Sequence, residues 1–164
     1  MEKRLLLLFL YSIIGLNSFG RNLIFDKTIN SDIVMEITIF PAGFEESVGK
    51  AEREWYVIKI YSNNTYYIRC NRTFPPTSII EPLTFVGSFS LSNWRKLKKL
   101  NKELKEATPK VFSRSCWDCW EVLIKYCGKE FRFDPWNDRS SPEMDLFRFI
   151  QNNISFSIYL RAFS

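Results

Sequence analysis

The stretch DIVMEITIF, residues 32–40, alternates without a break: Ile33, Met35, Ile37 and Ile39 fall on one side, and Asp32, Val34, Glu36 and Thr38 on the other. A period of two belongs to a half-buried β-strand and places one apolar face against a core. The same period recurs in WYVIKIY (55–61) and TYYIRC (65–70), which are separated only by Ser62-Asn63-Asn64. Asparagine tolerates the left-handed backbone that such short loops require, so these two runs predict an antiparallel hairpin. Residues 83–89, LTFVGSF, predict a further strand. WEVLIKYC (120–127) and EFRFDPW form a second hairpin, with the turn expected at Gly128-Lys129. A final alternating run, ISFSIYLRAF from Ile154, predicts a C-terminal strand.

Two segments carry the helical period instead. After Ser90, a plausible N-cap, Trp94, Leu97, Leu100 and Leu104 recur at helical spacing. Phe89 and Trp94 are placed to act as a hydrophobic staple. Arg95, Lys96, Lys98, Lys99, Lys102 and Lys105 cover the rest of that helix, a face suited either to solvent or to an anionic lipid or polymer. The second helix starts near SSPEMDLFRFI, with Ser140 and Glu143 as a capping box or Ser141 as cap with Pro142 in the first turn. Its broad apolar face holds Met144, Leu146, Phe147, Phe149 and Ile150. Hairpins force antiparallel pairing, and each helix must bury its stripe. The expected fold is therefore α+β, one domain with a mainly antiparallel sheet and two helices packed on it.

The first residues, MEKRLLLLFLYSIIGLNSFG, set Lys3 and Arg4 before an apolar run from Leu5 to Ile14 and end in Ser18-Phe19-Gly20. This is the pattern of a signal peptide cleaved before Arg21, and the run is shorter than the roughly 20 residues a membrane span needs. The expectation is an exported protein, periplasmic or extracellular, with residues 1–20 as signal and 21–164 as the domain. No later stretch is apolar enough to span a bilayer, so no transmembrane segment is expected in the mature chain.

FSLSNWRKLKKLNKEL, WEVLIKYCGKEFRF and SSPEMDLFRFI together resemble a pattern seen in small exported bacterial domains of unknown function: a strand leading to an amphipathic helix, then a hairpin, then a Pro-capped helix. That resemblance implies export and the α+β class, and it carries no activity across.

Chemistry is constrained by an absence, since the chain has no histidine. Ser-His-Asp and Cys-His nucleophiles are excluded, together with the commonest metal ligand. The net charge of +5 is a mild excess, and no nucleic-acid-binding motif accompanies it, so nucleic acid is not an expected partner.

Four cysteines remain to be explained, two of them in SRSCWDCWEV (113–122). A thiol-oxidoreductase C-x-x-C obtains its reactive thiolate at a helix N-terminus, whereas Cys116 and Cys119 precede a β-alternating run and flank Asp118, which disfavours the thiolate. Zinc is disfavoured too: if Cys119 and Cys127 share one strand, they lie roughly 26 Å apart, beyond the reach of one ion. Neither a metal nor another cofactor is expected. Disulfides are the structural expectation for an exported chain, with Cys70 to Cys127 and Cys116 to Cys119 as the pairing compatible with strand geometry, or Cys70 bridged alone, or buried thiols.

Asp134, Asp138, Glu143 and Asp145 gather in sequence around Trp136, an arrangement that a sugar hydrolase could use and that helix caps and solvated charges also produce. The reading these features favour is an exported non-enzymatic binding protein, an inhibitor, immunity-type or envelope-associated module, with Trp117 as an exposed partner contact. The alternative is an exported enzyme using the Cys116/Cys119 thiols or the Asp134/Asp138 carboxylates.

Overall fold

The computed structural model describes residues 31–40, 56–70, 83–112, 120–136, 140–156 and 158. Six strands form one sheet: β1 (Ile33–Phe40), β2 (Tyr56–Tyr61), β3 (Thr65–Cys70), β4 (Leu83–Ser88), β5 (Glu121–Tyr126) and β6 (Lys129–Phe133). Two helices, α1 (Leu91–Glu106) and α2 (Pro142–Asn153), complete the α+β fold. The strand order is β4-β3-β2-β1-β5-β6, and every neighbouring pair is antiparallel. The chain meanders from β1 outward to β4. It then returns through α1 to the other side of β1.

Register explains why one face is the core. Ile37 pairs with Ile58 on one side and Ile124 on the other, and Ile58 pairs in turn with Ile68. All four are fully buried, in one cluster with Leu97 and Leu104 of α1 and Met144, Leu146, Phe147 and Ile150 of α2. Both helices therefore cover the same face. On the opposite face one row is charged, with Glu36 against Lys59 at 3.8 Å and Lys125 against Glu130 at 3.8 Å, while the next row, Thr38 between Val57 and Leu123, is buried.

α1 crosses the strands instead of running along them. Its entry is fixed where the β2–β3 loop meets the end of β4: the Phe89 N–H donates to Asn64 O at 3.0 Å, and Asn64 Nδ2 donates to Phe89 O at 3.1 Å. Its exit is fixed at the β5–β6 turn, where Lys129 Nζ donates to the carbonyls of Lys105 at 2.7 Å and Ala107 at 2.8 Å. Sixteen residues span about 24 Å, which is the width of five strand spacings. Ser90 accepts from the Asn93 N–H at 3.2 Å, and the rings of Phe89 and Trp94 stack with centroids 6.4 Å apart, so the expected cap and staple are both present. In α2 the cap is Ser141, with Pro142 in the first turn.

Two local expectations are corrected. The β5–β6 turn is centred on Cys127 (φ 49°) and Gly128 (φ 74°), so Cys127 is a turn residue and Lys129 already belongs to β6. Two successive positive φ values match the right-handed twist of the flanking strands. The expected C-terminal strand also does not begin at Ile154, because residues 154–156 form bends. The Ile154 N–H bonds back to Ile150 O at 3.0 Å, and the Ser155 N–H donates to the Tyr66 hydroxyl at 2.9 Å. Neither donor is left for a strand ladder.

Candidate functional site

The β5–β6 turn closes one end of an open depression of about 330 Å³, bounded by Ile33, Val34, Tyr126, Cys127 and Lys129. Tyr126 follows Val122 and Ile124 along the core face but is only half-buried. Burial first, then the hydrogen bond and charge of the Cys127 thiol, raise its phenol above the ordinary value of 10.0. Cys127 itself is exposed.

Cys70 is buried at the opposite end of the sheet, at the end of β3. Three strand spacings across and five residues along the strands separate the two thiols by about 20 Å, against the roughly 7 Å limit for a bridged pair of α-carbons. The expected Cys70–Cys127 disulfide is therefore not formed, and both residues are thiols. Excluding bridges within one strand leaves Cys70–Cys127 as a pairing, but whether two cysteines meet depends on which strands become neighbours. Cys116, Cys119 and Trp117 lie outside the described residues, as does Asp138. Trp120, the last aromatic of that motif, is buried with Val122 and Ile124 as its alternation predicts.

Of the carboxylates expected near Trp136, three are described. Asp134 is buried, and its Oδ1 accepts the Trp136 N–H at 2.9 Å, an Asx turn that shapes the chain after β6. Glu143 is buried in the first turn of α2, and Asp145 is exposed on the same helix. Among the described residues, no three acidic or thiol side chains gather into a metal-holding group. Nor is any described helix long and apolar enough to cross a membrane.

The Asx turn instead presents an aromatic. Trp136 is 56% exposed, the largest side chain among the exposed hydrophobics. It borders a depression of about 310 Å³ whose floor is Met144, Phe147 and Ile158 and whose rim includes Arg148 and Gln151. Gln151 Nε2 donates to Ile158 O at 3.3 Å, tying the segment after α2 to the helix. The ring of Phe147 meets Phe133 edge-on at 5.8 Å, which seats α2 on β6 and so sets the floor. An apolar floor, one projecting indole and a polar rim can hold an amphipathic ligand group. The sequence sets Trp136 among acids that serve equally as helix caps and solvated charges or as part of a sugar site. Its signal as a projecting aromatic was the Asp-Pro-Trp order, which favours a turn directly after a strand.

Neither a family model, nor a curated protein sequence, nor a solved structure matches this chain.

Proposed function

We propose that this chain is an exported, non-enzymatic binding protein, an inhibitor, immunity-type or envelope-associated module that recognises a protein partner through the face around Trp136. The supporting observation is Trp136 itself, a 56% exposed indole standing beside an apolar-floored depression with Arg148 and Gln151 at its rim. Aromatic anchors with arginine neighbours dominate binding energetics where a partner excludes water from them. Export rests on the signal-like pattern of residues 1–20, with cleavage before Arg21. Trp117 in CWDCW is proposed as a second anchor on the same chain, with the thiols of Cys116 and Cys119 in a structural role.

The engagement of Asp134 with the Trp136 backbone counts for this reading over a hydrolase, because that carboxylate is buried and already occupied in shaping the turn. A photoreactive phenylalanine at position 136, in the chain expressed in its own host, should crosslink to one protein of defined mass. The same probe at exposed Thr84 should not. Equal labelling from both positions would sink the recognition surface. Catalysed reduction of a model disulfide that disappears in Cys116→Ser/Cys119→Ser would replace the binding reading with a redox enzyme.

A further inference from the structure

We infer that the outer face of α1 is a docking surface for a bilayer bearing anionic phospholipid headgroups. With Leu97, Asn101 and Leu104 buried, the helix turns its opposite side to solvent. At about 100° per residue, Leu91, Arg95, Lys99 and Lys102 line up along that side, and Lys98 and Lys105 flank them on the side of Trp94. All six are exposed. Glu103 and Glu106 lie on the same outward side. Five cations less two carboxylates leave a net charge of about +3 on one strip about 21 Å long.

Internal use of these charges is slight. Lys96 leaves the strip to sit 5.3 Å over the Phe149 ring of α2, and Lys98 lies 5.3 Å over Trp94, which holds its ammonium at the surface. Among the described residues no carboxylate forms an ion pair with Arg95, Lys98, Lys99, Lys102 or Lys105. Like charges three and four residues apart repel one another, and Glu103 and Glu106, each four residues after a lysine of the strip, offset only part of that repulsion. Its geometry is nonetheless held from outside the strip, by the Ser90 cap and by Lys129 at the last carbonyls.

Leu91 identifies the partner class. It is 63% exposed and continues the cationic row one turn before Arg95. A dissolved polyanion gains nothing from this leucine, whereas a bilayer accepts it below the level at which lysines meet phosphate. Lys110 and Val111, beyond the other end of the helix, repeat the combination, with Val111 97% exposed. A charged strip with apolar residues at both ends fits a lipid surface better than a nucleic acid or an acidic protein.

The test is co-sedimentation of the full chain with vesicles of phosphatidylcholine alone or mixed with phosphatidylglycerol. Because the apolar segment at residues 5–14 is common to every variant, differences between variants report the strip. Binding to the mixed vesicles should exceed binding to neutral ones and weaken with added salt. Lys98→Glu/Lys102→Glu should lower it about tenfold or more, each basic residue near an anionic surface contributing several-fold. Leu91→Ser should lower it without changing the salt dependence. Equal binding to both vesicle types, or charge-reversed protein that binds as the wild type does, would overturn the proposal. So would heparin binding as tight as vesicle binding and indifferent to Leu91→Ser, which would assign the strip to a soluble polyanion. Circular dichroism of both variants keeps the outcome readable: a folded variant that still binds overturns the inference, and an unfolded one is replaced by Lys98→Gln/Lys102→Gln, for which a several-fold loss is expected.

Discussion

The ring of Tyr66 on β3 lies over Gly87, its direct partner on β4, so closely that a β-carbon at Gly87 would overlap Cζ and the hydroxyl oxygen. Tyr66 cannot easily give way. It is 2% exposed, its hydroxyl lies 2.6 Å from Ser155 Oγ, and it accepts the Ser155 N–H. A glycine in a strand interior ordinarily weakens the strand, and here it makes room for the residue that ties the end of α2 to the sheet. Gly87→Ala should therefore cost on the order of 1–3 kcal/mol in urea unfolding, as overpacking does elsewhere. A loss below about 0.5 kcal/mol would mean that Tyr66 swings aside freely.

Lys129 joins the β5–β6 turn to the C-terminus of α1 through two carbonyls. Its ammonium satisfies acceptors that the helix leaves open and complements the negative end of the helix dipole. Lys129→Met keeps the aliphatic stem and removes the donor. The expected loss is about 1–2 kcal/mol, with faster amide exchange confined to the last turn of α1. Unchanged exchange there would show that the cap is dispensable.

Cys127 holds a positive φ that β-carbon sterics disfavour, in a two-residue turn for which Asn-Gly is the preferred pair. Replacing the thiol with asparagine should raise the urea midpoint by the equivalent of about 0.5 kcal/mol, and Cys127→Val should lower it. The reverse order would contradict the turn geometry.

Tyr61 and Tyr126 both have phenols raised above 10.0, Tyr61 by burial and then the charge of Tyr67, Tyr126 by burial and then Cys127. A raised value in the folded chain means that the unfolded chain loses the proton first. The contribution is complete below about pH 10 and is lost as the pH climbs through the folded values. Urea midpoints should hold level to that point and then fall. Tyr61→Phe/Tyr126→Phe should flatten the fall; an identical alkaline profile in the double variant would assign it to other groups.

Much of this architecture is visible in local pattern. The alternation of Met35, Ile37 and Ile39 names the core face of β1, Ser90 with Phe89 and Trp94 marks the start of α1, and Ser141-Pro142 marks that of α2. These signals are legible because side-chain direction along a strand or helix depends on residues only two to four apart. Ile33, expected on the same face of β1, is instead 50% exposed, because the β1–β2 register shifts between Ile33 and Met35 and Val34 packs on the core in its place. Leu97 and Leu104 were correctly placed in the core by spacing alone, while Trp94 and Leu100, at the edges of the same stripe, are only partly buried.

What depended on the tertiary structure is every relation between distant segments. Nothing near Cys70 or Cys127 announces that β1 and β2 come between their strands, and that ordering is what keeps the thiols apart. Ser155 belongs to an alternating run, yet its N–H goes to Tyr66, 89 residues earlier, and residues 154–156 form bends. Trp120 and Trp136 are the same residue type in comparable surroundings, and one is buried while the other projects because the sheet face covers the first and the Asp134 turn carries the second away from it. Pattern determines which way a side chain points; the packing of elements far apart in sequence determines what, if anything, lies there to meet it.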